Sequence, residues 1–139
     1  MARKRLERPT SAELAILRVL WERGPSTVRQ VHDILSEERE FAYTTTLKFM
    51  QLMTEKGMLT READGRTHRY HAAYPEEATQ QRLIVDLLER AFGGSSAKLV
   101  IQALTARPAS AEDLREIRRI LASAKARTAD NSQKEKDRD

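Results

Sequence analysis

The densest run of groups able to meet a ligand is Tyr43-Thr44-Thr45-Thr46-Leu47-Lys48-Phe49-Met50-Gln51-Leu52-Met53. On a helix, Thr46, Phe49, Met50 and Met53 share one face at i, i+3, i+4 and i+7 spacing and pack inward. The opposite face then presents Tyr43, Thr44, Thr45, Lys48 and, toward its end, Gln51 or Leu52. These types suit the groove of a nucleic acid. Threonine offers a hydroxyl to a phosphate or base edge and a methyl to the thymine C5-methyl. The Gln51 amide matches adenine, and Lys48 reaches guanine or phosphate. Read otherwise, three β-branched residues in a row are a poorly helical start to an ordinary helix. Their place at the N-terminal end, which a recognition helix inserts into a major groove, favours contact with DNA.

Other chemistries find little support. The chain has no cysteine, which excludes disulfides, thiolate metal sites and cysteine nucleophiles. Its histidines are His32, His68 and His71. His68 and His71 stand three apart on a strand-like run, so they project to opposite faces and cannot share a metal. His32 and its neighbour Asp33 point in different directions on a helix. There is no phosphate-cradling glycine loop, no G-x-S-x-G elbow and no H-E-x-x-H. The expectation is a protein that is not an enzyme and uses no metal or cofactor.

The elements that must position the Tyr43 helix can be read on either side of it. Thr10 or Ser11 caps a first helix with Glu13 in its first turn, Leu14, Leu17, Val19, Leu20 and Trp21 form its apolar side, and Gly24-Pro25 ends it. Ser26 opens a short second helix carrying Val28, Val31, Ile34 and Leu35. The third runs from about Tyr43 to Lys56, with Gly57 as its C-terminal stop. Two strand-like runs follow, Met58–Glu62 and Thr67–His71, joined through Asp64-Gly65, a pair that tolerates the positive φ of a tight turn. Three helices and then a hairpin is the order of a winged helix-turn-helix. The hairpin carries Arg61, Arg66, His68 and Arg69. Arg66 falls at its tip, where a wing meets phosphates or the minor groove, and Arg69 either does the same or pairs with Glu62 across the strands.

Beyond Tyr74-Pro75 the pattern returns to helix, with Leu83, Ile84, Leu87 and Leu88, then Leu99, Val100, Ile101 and Leu104, then Leu114, Ile117, Ile120 and Leu121. Three short helices cannot bury all of these within one chain. A second copy can, and a DNA reader gains affinity and palindrome selectivity from a two-fold partner. The expected dimer core is Leu83, Leu87, Leu99, Ile101, Leu104, Leu114, Ile117 and Leu121; the other option is that these helices fold back on the winged helix. The chain thus divides into a basic arm over 1–9, a winged helix over 10–74, a helical dimerisation region over 75–126 and a disordered polar tail over 127–139. The fold class is mainly α with a small β component.

Charged residues make up 33% and aromatics 5%, with a net charge of +4. That permits nucleic-acid binding without demanding it. Arg3, Lys4, Arg5 and Arg8 form either a solvated terminus or a DNA-binding arm. No window is apolar enough to span a membrane, and the basic start leads into no apolar stretch of a signal peptide, so a cytoplasmic location without membrane insertion is expected.

Leu14–Trp21, Ser26-Thr27-Val28-Arg29-Gln30-Val31, Ala42-Tyr43-Thr44-Thr45, Lys56-Gly57-Met58-Leu59 and Arg66-Thr67-His68-Arg69-Tyr70 occur in order over residues 10–123. In this combination the chain resembles the BlaI/MecI penicillinase-repressor family. The resemblance implies a cytoplasmic homodimer that represses transcription at paired, palindromic half-sites, with DNA contacts from Tyr43, Thr44, Thr45, Lys48 and Arg66. It also brings in a membrane sensor-protease as signalling partner, because antibiotic-responsive members are inactivated by cleavage of an Asn-Phe bond. The aligned position here is Gln102-Ala103, a departure from that pattern. The cysteine motif of the copper-responsive relatives is absent. A double-stranded DNA operator is therefore the expected partner. The competing expectations are a winged-helix module that binds protein through its third helix, and a ligand-sensing repressor.

Overall fold

The computed structural model describes residues 8–137. Of the basic arm, Arg3, Lys4 and Arg5 lie outside the described residues. The element order is α1 (Ser11–Arg23), α2 (Val28–Leu35), α3 (Tyr43–Glu55), β1 (Leu59–Asp64), β2 (Thr67–Ala72), α4 (Glu76–Ala91), α5 (Ser96–Ala106) and α6 (Ala111–Lys136). The chain divides into two units, one through Glu89 and one from Arg90.

In the first unit local chemistry sets each boundary. Thr10 and Glu13 form a reciprocal capping box on α1: the Glu13 N–H donates to Thr10 Oγ1 and the Thr10 N–H to Glu13 Oε1, at 3.2 and 2.9 Å. Gly24 stops α1 with φ +82°, a conformation L side chains resist. Thr27, not Ser26, caps α2, in a second box with Gln30. Ser26 is taken instead by the hairpin. Its N–H donates to the Tyr70 carbonyl at 3.1 Å and its carbonyl accepts from the Tyr70 N–H at 2.8 Å, an isolated antiparallel bridge.

β1 and β2 pair antiparallel from Leu59↔Ala72 to Asp64↔Thr67. The connection is therefore Gly65-Arg66, with Asp64 still in the strand. Only Gly65 takes a positive φ, +65°, at the first central position, as a type II′ turn requires. Strand alternation puts Tyr70 on one face with Leu59, and Arg69 and His71 on the other.

The core gathers Ile16, Leu17 and Leu20 of α1, Val28, Val31 and Leu35 of α2, Met50 and Met53 of α3, then Met58, Leu59 and Tyr70. The expected inner face of α3 is observed, with Thr46, Met50 and Met53 buried and Phe49 partly so. Tyr70 is 2% exposed and is the largest fully enclosed side chain. Tyr70→Ala is expected to destabilise the first unit by about 3–5 kcal/mol, the range for emptying a large aromatic site, read as a lowered urea midpoint at unchanged slope.

The expected division at Tyr74 is displaced to within α4 because the start of α4 belongs to the first unit. Trp21 Nε1 donates to the Tyr74 carbonyl at 3.1 Å, and Arg8 pairs with Asp86 at 2.8 Å. Leu17, Met58, Tyr74 and Ala78 line a small cavity there.

In the second unit, Ser95 caps α5 and Ser110 caps α6, each side chain accepting the backbone N–H of the residue three positions on. Residues 127–136, expected to be a disordered tail, continue α6 instead. Alanines at 122, 124, 126 and 129 favour helix. Lys134 follows Asp130 by one turn with its Nζ 3.4 Å from the carboxylate, the favourable order of charges along a helix. Earlier on α6, Arg119 binds the Glu116 carboxylate and holds its pKa below the usual range. None of α4, α5 and α6 has a buried residue. Among the described residues no helix is long and apolar enough to cross a membrane.

Candidate nucleic-acid interface

α3 lies across the first unit with its apolar side against the core, so its outer side is fixed by the same packing. Thr44, Lys48, Gln51 and Leu52 are exposed, and Tyr43 is at the edge of exposure with 36%. Thr45 is half-buried and contributes less to the outer face than its neighbours, because Thr46 and Phe49 draw that side of the first turn inward. Thr44, Thr45, Lys48, Phe49 and Leu52 line a shallow depression.

The start of α3 differs from those of the other capped helices. α1, α2, α5 and α6 each have a side-chain cap, whereas the N-cap of α3 is Ala42, whose backbone is extended as a cap requires but which has no side-chain acceptor. The first-turn N–H groups are therefore left without a side-chain partner. No acidic residue occupies that turn. The helix dipole adds partial positive charge at the same end.

Among the described residues, Lys48, Arg61 and Arg66 form no ion pair, so their charges are available to an external anion. Arg66 sits in the hairpin turn, away from α3 in sequence but in the same unit. Arg69 is committed elsewhere. It faces Glu62 in register, yet its guanidinium reaches diagonally to Asp64 at 3.3 Å. Glu62 lies 3.2 Å from His71 Nε2, but outside hydrogen-bonding geometry, so that buried nitrogen has no hydrogen-bond partner. His68 lies on the opposite face of β2, and no group of His, Asp and Glu among the described residues could hold a metal ion.

Three contributors to this surface carry little signal in the sequence. Arg29 places its guanidinium carbon 4.5 Å from the centroid of the Tyr43 ring. His32 meets the same ring edge-on, centroids 5.6 Å apart at 86°, and its Nδ1 lies 3.0 Å from Thr46 Oγ1. The third is Ala42, which does not stand out as a missing cap until the helix start is located. For Arg29 and His32 the available signal is their i, i+3 spacing.

The expected dimer residues are distributed over both units. Leu83 and Leu87 lie on α4 within the first. Leu99, Ile101 and Leu104 lie on α5, and Leu114, Ile117 and Leu121 on α6. Ile101 and Leu121 are 60% and 61% exposed, and Leu99, Leu104 and Ile117 half-buried. Gln102 and Ala103 are exposed on α5.

A family model described as Penicillinase repressor matches residues 9–123. The Transcriptional regulator BlaI of Mycobacterium tuberculosis is 33% identical over 123 residues, which cover 88% of each chain. The methicillin resistance regulatory protein MecI of Staphylococcus aureus is 17% identical over 112 residues, 81% of this chain and 91% of that one. The solution structure of a monomeric form of Bacillus licheniformis BlaI in complex with the blaP half-operator aligns with a TM-score of 0.47 at 22% identity, over 52% of this chain and 89% of that chain.

Proposed function

The chain belongs to the penicillinase repressor family, and from that membership we propose that it is a sequence-specific DNA-binding transcriptional repressor, acting in the cytoplasm as a homodimer on paired half-sites. The observation that carries this reading is the outer side of α3. It is an exposed row of Thr44, Lys48 and Gln51 behind a helix start that is uncapped and free of acid.

In this reading α3 enters a major groove by its N-terminal end. A phosphate takes the place of the missing cap, as anions do at open helix N-termini. Thr44 and Thr45 meet base edges or thymine methyls, and Gln51 follows along the groove floor. Tyr43 and Lys48 hold the backbone, and Arg66 reaches a second phosphate from the wing. Two protomers related by a two-fold axis read half-sites separated by about one helical turn, roughly 34 Å. The exposed aliphatic residues of α5 and α6, with Leu83 and Leu87 of α4, supply the contact between copies. No catalytic step is part of this function.

Salt dependence tests the assignment. Lys48→Ala and Arg66→Ala are each expected to weaken operator binding for all sequences alike. Each should also flatten the log–log salt slope by about 0.9 for every phosphate no longer neutralised. The measurement is fluorescence anisotropy on a labelled duplex from about 50 to 200 mM salt. A salt slope left intact alongside an altered base preference would reverse the roles given to these two residues.

A further inference from the structure

Arg29 and His32 sit on α2, three residues apart on one face, and both are spent on the first turn of α3. Arg29 lies over the face of the Tyr43 ring, where the ring quadrupole attracts a cation. His32 meets that ring edge-on and touches the buried Thr46 hydroxyl one turn further along. Arg29 makes no ion pair among the described residues. Its position is also one that helix electrostatics disfavours, because a cation in the first turn of α2 opposes the dipole. Arg29 therefore gains nothing from the dipole of α2 for being there. The Tyr43 hydroxyl, held by its ring, has no hydrogen-bond partner among the described residues.

We infer that Arg29 and His32 are positioning residues for Tyr43. They grip the uncapped start of α3 from α2 and set the direction in which the Tyr43 hydroxyl meets DNA. The clamp does for α3 what a side-chain cap does for α1 and α2, while leaving the N–H groups of Tyr43 and Thr44 open to a phosphate; that of Thr45 already donates to the Ala42 carbonyl at 3.0 Å. This rests on the DNA-binding reading above. It assigns Arg29 an action through Tyr43 in place of a phosphate contact of its own.

A double-mutant cycle on the full chain separates the two. Arg29→Ala is expected to weaken operator binding about fivefold at an unchanged salt slope, and to cost nothing further in a Tyr43→Ala background. His32→Gln, which removes the ring that meets Tyr43 edge-on while keeping a polar side chain, should behave in the same way. Thermal unfolding of each variant confirms that the core is intact, since Arg29 and Tyr43 lie outside it. Additive effects with a salt slope lower by about 0.9 would show Arg29 on a phosphate and overturn the inference, as would unchanged binding in both Arg29→Ala and His32→Gln. Absence of any salt-sensitive complex with the unmodified chain would instead sink the DNA reading itself.

Discussion

Ala42→Asp is expected to make the protein more stable and a poorer binder of DNA. Ala42 is exposed, and its backbone at φ −69° and ψ 149° already has the extended form of an N-cap. An aspartate there accepts a first-turn N–H and complements the dipole, a gain of about 1 kcal/mol. In a unit of this size that raises the melting temperature by roughly 4–8 °C. The same carboxylate occupies the position proposed for a DNA phosphate. Like charges brought together in an interface cost several kcal/mol, so operator affinity should fall at least about tenfold. Ala42→Ser provides the comparison, since it supplies an acceptor without a charge. It should stabilise by a similar amount and weaken binding much less. Thermal unfolding and anisotropy on the same samples check both halves. Stabilisation by Ala42→Asp with full DNA affinity would mean that no phosphate lies at the start of α3.

The second large effect concerns assembly. Ile101 and Leu121 are the most exposed of the large aliphatic residues and take part in no core. A charge at either position should leave the protomer folded, because neither side chain belongs to that packing. In a dimer, by contrast, Ile101→Glu or Leu121→Glu buries an unpaired carboxylate. The expected result is a monomer in sedimentation equilibrium at concentrations where the unmodified chain is dimeric. Binding to a two-half-site duplex should weaken by about 10²-fold or more, because the second binding event is no longer linked to the first. Binding to a single half-site should change little. A monomeric unmodified chain, or dimers unaffected by both substitutions, would remove the proposed role of these residues.

The first unit is largely legible in the sequence because its signals are local. The inward row Thr46, Met50 and Met53 follows helical periodicity, and Asp64-Gly65 marks a hairpin whatever surrounds it. Two of the differences, at Ser26 and Arg69, arise where contacts across the fold outvote local preference, and the third is local. Ser26 is as good a cap as Thr27 in sequence, but the hairpin takes its backbone, and the Thr27–Gln30 box then wins. Arg69 faces Glu62 as the alternation requires, yet its long side chain finds Asp64 diagonally across the strands. Polar composition beyond Arg127 suggests disorder, whereas alanines and the Asp130–Lys134 pair extend α6 without any core. The α2–α3 clamp is hidden because Arg29 and His32 look like ordinary surface residues until the crossing of two helices puts Tyr43 beneath them.

In the proposed function α3 reads a DNA sequence while the hairpin holds the DNA backbone. Selection of duplexes from a randomised pool by the full chain, followed by affinity measurement at about 150 mM salt against an unselected duplex, tests it most directly. The expected outcome is an enriched palindromic pair of half-sites spaced by about one helical turn. The preference over unselected DNA should be at least about 10³, and Thr44→Ala or Gln51→Ala should change the bases selected. Equal affinity for every duplex, or an enriched sequence unaltered by substitutions at Thr44, Thr45 and Gln51, would contradict it.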